Sequence, residues 1–150
     1  MTTGYVLFRL AERTFATPLD EVREIVRLDG VERLPGTRPP LAGVVMLRGA
    51  PLPVLDVRGS GQDDAAFERG DVLVMDLADD TVGIAVDQVV AVLPPDELPE
   101  AEAAPKSLPP YVVGVRRHRG TPVLLVDLHL LLGATATGWE GALTADTIQA

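Results

Sequence analysis

A chain of 150 residues is long enough for one domain that buries about two thirds of its unfolded surface. It carries 22 acidic against 13 basic side chains, a formal charge of −9, and no cysteine. That balance argues against a cationic surface for nucleic acid or anionic membranes, and the absent thiols exclude disulfides, thiol catalysis and thiolate metal sites.

The opening Met1–Tyr5 has no basic stretch before an apolar one, so no export signal is expected. Tyr5–Leu10 then reads as a strand, Ala11–Thr14 as a turn and Phe15–Leu19 as a second strand. Leu19–Ile25 is expected to make one short helical turn. The run Leu41–Leu47 is the most continuously apolar in the chain. Arg48 stops it far short of the roughly 20 residues a membrane helix needs, so no membrane insertion is expected. Further strands are expected at 44–47, 51–55, 71–77, 81–86, 112–115 and 122–126, with a second helical turn over 127–132 halted by Gly133. The segment 59–70 is polar and glycine-bounded and reads as a surface loop. The acidic, proline-rich 94–105 reads as an extended connection, and 135–150, with Trp139 as its one large side chain, as a flexible tail. Short strands at close spacing with thirteen prolines and fourteen glycines between them point to an all-β barrel or sandwich.

The chain also repeats itself. Advanced by 67 positions, Leu10-Ala11-Glu12 falls on Leu77-Ala78-Asp79, Thr14 on Thr81, Asp20 on Asp87 and Val22 on Val89. Advanced by 71, Gly43 falls on Gly114, Arg48-Gly49 on Arg119-Gly120, Pro51 on Pro122 and Asp56 on Asp127. The two blocks keep their order, which implies two similar β subdomains, a double β-barrel. Arg-Gly at a strand end supplies a tight turn with a charge displayed beside it, and the closing aspartate suits a cap.

Candidate chemistry is sparse, and no catalytic residue, metal ligand set or cofactor is expected. Asp20 with Asp87, or Asp56 with Asp127, could face each other as an acid dyad for a small acidic hydrolase, but neither sits on the aspartate-small-glycine turn such dyads use. The two serines, Ser60 and Ser107, lie outside any nucleophile elbow, and Gly59-Ser-Gly61 lacks the lysine of a phosphate loop. His118 stands among Arg116, Arg117 and Arg119 at what reads as a solvated edge, and His129 belongs to an apolar run. Arg48 has two readings, a solvated turn residue or an interface anchor.

The stretch Gly43-Val-Val-Met-Leu-Arg-Gly-Ala-Pro-Leu-Pro-Val-Leu-Asp-Val-Arg58 closely resembles the central signature of CheW-like domains. So do Val6–Leu10 with 16–25, then 71–77 with 82–89, and 94–98. The resemblance runs from about residue 4 to 133 in order, and implies two five-stranded SH3-like β-barrels within residues 1–134. It implies a non-catalytic cytoplasmic adaptor that couples the cytoplasmic tips of methyl-accepting chemoreceptors to the regulatory domain of a CheA-type histidine kinase, with self-association in rings as a further option. The same fold would also serve a non-flagellar array, such as one for twitching. Met1 and the tapering end fit a stand-alone adaptor. By the same resemblance, Arg48 and Gly49 form the partner-binding turn, and Val22, Glu24 and Gly43 border the groove for the receptor's helical hairpin. Val54 and Leu55 would lie near the kinase, and Val82, Gly83 and Ile84 are expected groove or array contacts. One departure is visible: Met46 stands where members commonly carry asparagine, and the chain has no asparagine at all.

Overall fold

The computed structural model of the protein describes residues 3–28, 30–32, 34–36, 41–57, 70–77 and 79–135. In chain order these form β1 (Tyr5–Leu10), β2 (Arg13–Pro18), a 3-10 turn (Leu19–Glu21), β3 (Glu24–Arg27), β4 (Leu41–Leu47), β5 (Ala50–Asp56), β6 (Asp71–Leu77), β7 (Asp80–Val86), β8 (Gln88–Leu93), a second 3-10 turn (Pro95–Glu97), β9 (Glu100–Glu102), β10 (Val112–His118), β11 (Thr121–Val126) and α1 (Leu128–Thr135). The expected loop over 59–70, apart from Gly70, and the expected tail beyond Thr135, with Trp139, fall outside the described residues.

The strands form two sheets, of order β3-β6-β7-β5-β4 and β8-β1-β2-β11-β10-β9. The first has five strands. The second has a sixth only because the three-residue β9 adds to the edge at β10, where Val115 pairs with Glu102. Among the described residues of the five-stranded barrel, the same place holds an isolated bridge, Glu32 to Val44.

The sequence repeat is reproduced in register. Strands β4 and β5 slip by one residue between Leu41 and Gly43, and β10 and β11 do so between Val112 and Gly114, the same place in the repeat. The parallel pair Val54–Gly83 joins β5 to β7, and its counterpart Leu125–Ala16 joins β11 to β2. Each sheet therefore takes one hairpin from each half of the chain. The five-stranded sheet pairs β4-β5 with the later β6-β7, while the six-stranded sheet pairs β1-β2 with β10-β11. The halves do not build one barrel apiece; they exchange hairpins.

Burial follows from the period of two along a strand. On β6, Val72 and Val74 join Leu52, Val54 and Ala85 inside the five-stranded barrel. The alternate residues Leu73 and Met75 join a cluster shared by both sheets, with Val6, Phe8, Leu55, Val82, Ile84 and Leu128. On β1, Tyr5 and Leu7 turn instead into the six-stranded barrel with Ala16, Leu98 and Leu125. Strands with both faces covered read as near-continuous apolar runs, which is why these segments lack a polar alternate face. Leu98 is fully buried, so the acidic connection 94–105 is no free linker. It pins one apolar side chain into the barrel and then pairs as β9.

Both expected helical turns exist in altered form. The first ends at Glu21, because Glu24–Arg27 is claimed by antiparallel pairing with β6, Ile25 opposite Leu73. Cross-strand packing of β-branched side chains outweighs the weak helical preference there. The second begins where expected, with the Leu130 N–H donating to Asp127 Oδ1 at 3.0 Å, and runs past Gly133 to Thr135. Strand β8 was not among the expected strands.

The β1–β2 turn places two residues other than glycine at positive φ, Ala11 at 52° and Glu12 at 68°. The Ala11 N–H donates to Asp87 Oδ2 at 2.9 Å, and the Asp87 N–H returns to the Arg9 carbonyl at 3.0 Å, so the turn is tied to the β7–β8 junction. Left-handed backbone costs an L residue roughly 1–2 kcal/mol, whereas glycine loses about 0.5–1 kcal/mol in chain entropy. Glu12→Gly is therefore expected to raise unfolding stability by about 0.5–1 kcal/mol, read by urea denaturation. A destabilised variant would show that the Glu12 side chain contributes to the fold.

Candidate functional site

Residues Leu47 and Ala50 pair directly across β4 and β5, leaving Arg48 and Gly49 as a two-residue hairpin turn. Both have positive φ, 51° and 81°, the backbone of a type I′ turn that follows the twist of the strands. The turn lifts Arg48 clear of the sheet, with 69% of its side chain exposed. Its guanidinium is not loose. Arg48 Nη1 donates to Glu24 Oε2 at 3.0 Å, and Nη2 donates to Oε1 at 2.5 Å, a two-point fork that fixes the plane of the group.

Glu24 opens β3, just after the 3-10 turn that the Val22 N–H closes on the Leu19 carbonyl at 3.0 Å. Val22 is half-buried against the shared core. Beside Glu24, Arg23 donates to Asp76 Oδ1 at 3.0 Å and to the Thr81 hydroxyl at 3.3 Å, and that hydroxyl donates to Asp76 at 3.1 Å. The surface around the turn is thus an ordered array of charges flanked by Met46, which is 53% exposed.

The hydrogen bonds from Arg48 hold the Glu24 carboxyl below its ordinary value of 4.5, against a smaller opposing effect of burial and with added attraction from Arg48 and Arg23. The same pairing raises the Arg48 guanidinium further above its ordinary range. Because the folded value of Glu24 is depressed, its contribution to stability is complete above about pH 4.5 and is lost as the pH falls through the lower folded value.

Gly43 and Gly83 are needed for close approach. Gly43 has φ +152°, and a Cβ there would lie 2.3 Å from the Glu32 carbonyl oxygen, at the bridge that flanks β4. At Gly83 a Cβ would come within 2.5 Å of a Val72 methyl. Val54, Leu55, Val82 and Ile84 are at most 1% exposed. They and the buried Gly83 were expected near partners at strand ends or in a groove; parallel pairing of β5 with β7 puts their side chains in the core, Val54 opposite Gly83 and Leu55 opposite Ile84. The same pairing puts all five in one sheet. The expected partner residues that sit together at a surface are Glu24, Arg48 and Gly49, with Val22 two residues from Glu24.

The aspartates are held locally. Asp20 accepts from the Thr3 N–H and hydroxyl, Asp87 from Ala11, and Asp127 caps α1. Asp56 ends β5 at 8% exposure. Nothing here supports a hydrolytic dyad. One cluster escaped the sequence: Glu21, Asp127 and His129 bring three ligand-type atoms within 4.8 Å of one another. Glu21 Oε2 accepts the Leu128 N–H at 3.3 Å and the Thr17 hydroxyl at 3.2 Å, so both carboxylates serve to start the helix.

Comparison with known proteins decides the family. The CheW-like domain profile matches residues 4–136. The chain belongs to the CheW-like domain family. This CheW-like chain is 34% identical over 132 residues to Protein PilI of Pseudomonas aeruginosa, covering 83% of the chain and 72% of PilI. It is 28% identical over 135 residues to Chemotaxis protein CheW of Klebsiella aerogenes, covering 87% and 81%. The scaffolding protein TtCheW from Thermoanaerobacter tengcongensis superposes with a TM-score of 0.66 at 22% identity over 88% of each chain, which supports the two-barrel fold. No helix of the described residues is long and apolar enough to cross a membrane.

Two predictions test this geometry. Carboxyl NMR should place the Glu24 titration below 4.5 and return it towards that value in Arg48→Ala; an unchanged titration would show that the pair does not form in solution. Gly43→Ala should cost about 1–3 kcal/mol by overpacking, read by thermal or urea unfolding; unchanged stability would show that the Glu32 backbone can withdraw.

Proposed function

We propose that the chain is a non-catalytic adaptor that couples the cytoplasmic tips of chemoreceptors to a CheA-type histidine kinase. The observation that carries this reading is the Arg48–Gly49 turn of a CheW-like domain, with its guanidinium exposed and held in plane by Glu24. A displayed arginine fork with a free outer edge suits a partner's carboxylate or carbonyl, and Met46 beside it adds apolar contact area. Val22 and Glu24 would border the groove that takes the receptor's helical hairpin, in the usual helix-in-groove manner, with the buried Gly43 behind that border on β4. The adaptor would act in the cytoplasm, reaching the membrane only through its receptors. It would act by geometry alone: holding receptor and kinase together lets a receptor's conformational bias reach the kinase.

A second reading is favoured by the higher identity to PilI than to the Klebsiella CheW. The same adaptor would then serve a non-flagellar chemosensory array, such as one for twitching. The two readings share the site and differ in partner.

Calorimetric titration against a receptor cytoplasmic fragment and against the kinase's CheW-like regulatory domain tests both. Arg48→Glu should keep the native circular dichroism and weaken receptor-fragment binding by about 2 kcal/mol, the size expected of an interface hot spot. Unchanged affinity would remove Arg48 from the site, and no binding of the wild type to either probe would overturn the adaptor reading.

A further inference from the structure

The Arg48 turn has a twin. Residues Arg119 and Gly120 join β10 to β11 as a two-residue turn, His118 opposite Thr121, with φ of 52° and 83°. The φ angles match those of Arg48 and Gly49 to within 2°, and the 71-residue repeat lays one pair on the other. The chemistry around the twin differs. In the first copy, Glu24 pairs with Val74 of β6 and reaches Arg48. In the second, the residue opposite the equivalent Leu7 of β1 is Ala91. The second copy has no carboxylate at the position that braces the arginine in the first. Among the described residues Arg119 forms no hydrogen bond or ion pair, and it is exposed.

Its neighbours change in the same direction. Met46 and Leu47 of the first turn become Arg117 and His118. Arg117 Nη1 donates to the Gly120 carbonyl at 3.0 Å, and its Nη2 lies 3.9 Å from Glu102, so Arg117 braces the turn. Arg116 lies back over the Tyr5 ring at 5.6 Å. Arg119 is left to face solvent as a positive tip on a chain of net charge −9. An adaptor that joins two proteins needs two surfaces, and the buried Val54 and Leu55 offer none to the kinase side.

We propose that the Arg119–Gly120 turn is a second protein-recognition point, taking from an acidic patch of the kinase-side partner the carboxylate that Glu24 supplies to Arg48. This inference rests on the adaptor reading above. With alanine at the equivalent position, an external acid is the complement, and charge complementarity of this kind sets specificity and association rate.

The test uses the full chain, with the kinase's CheW-like regulatory domain and the receptor cytoplasmic fragment as separate probes. Arg119→Glu should weaken kinase-domain binding by about tenfold or more and flatten its salt dependence, with receptor-fragment binding unchanged. Glu12 already occupies the same backbone region, so a glutamate at the turn is compatible with folding. Ala91→Glu, which restores the internal carboxylate, should also weaken kinase-domain binding, whereas Ala91→Gln, of similar size without charge, should not. Equal loss in both Ala91 variants would trace the effect to packing and count against the proposal. If wild type binds the kinase domain and Arg119→Glu binds equally well, the proposal fails and the adaptor reading stands. If receptor binding alone is lost, the assignment to the kinase side is overturned. If wild type binds neither probe, the adaptor reading fails and takes this inference with it.

Discussion

The architecture depends on two parallel strand contacts between residues far apart in sequence. Val54 lies beside Gly83 and Leu125 beside Ala16. At the first contact there is no room for a side chain on β7, since a Cβ at Gly83 would run into Val72 and stand 3.1 Å from Leu52. At the second, the smallest side chain, Ala16, is itself fully buried. These small residues let a hairpin from one half close against a hairpin from the other. Neither half can then bury its apolar faces alone, and the cluster shared by both sheets requires both halves to be in place. Such long-range pairing makes the whole chain one cooperative unit, at the cost of late-forming contacts in folding.

Closure of the barrel also builds the site. Glu24 is on β3 and Arg48 ends the β4–β5 hairpin, and β3 and β4 are the two outer strands of a five-stranded sheet. Their contact requires the sheet to curl until its edges meet. An exposed ion pair of this kind adds little to stability in water. Its value lies in orientation: two parallel N–H···O bonds leave the guanidinium with one plane and one outward edge, where a free arginine would sample many rotamers. Gly43 serves the same closure, admitting the backbone of Glu32 against β4.

Much of this was legible in the residues. Short apolar runs and dense Pro and Gly identified an all-β chain, and the Gly-x4-Arg-Gly-x-Pro-x4-Asp string located both twin hairpins before any strand was paired. What it could not show was which hairpin pairs with which. An internal repeat fits side-by-side copies or exchanged ones equally well, and only the parallel contacts at Gly83 and Ala16 select exchange. That same choice decided the fate of the expected site. Val54, Leu55, Val82, Gly83 and Ile84 look like strand-end contacts when each half is imagined as its own barrel, and become core once β5 lies on β7. Arg48 and Glu24 survived as surface residues because a charge at a strand end is costly to bury, whatever the pairing. Strand β8 does carry a local signal, the Val-Val-Ala-Val-Leu run 89–93, and is absent from the expected strands all the same, whereas β9 lies in an acidic, proline-rich segment with little local strand signal.

Positive φ alone does not single out the two Arg-Gly turns. The Ala11–Glu12 turn also holds two residues at positive φ, and it is explained by bonds to the Asp87 junction. What separates the two Arg-Gly turns is that an arginine is retained, twice, at a position where asparagine or glycine would fit the backbone better. At Arg48 the side chain is engaged by Glu24; at Arg119 the equivalent acid has become Ala91, and the arginine persists without it. The bracing role that Arg48 shares with Glu24 is therefore not available to Arg119. An exposed cation with no acid opposite it is open to a complement on another molecule. The exchanged fold thus provides two turns of equal geometry, and divergence at three positions (Glu24 to Ala91, Met46 to Arg117, Leu47 to His118) makes one self-neutralised with apolar flanks and the other openly cationic. An adaptor needs that asymmetry, because two identical surfaces would compete for one partner where the task is to join two.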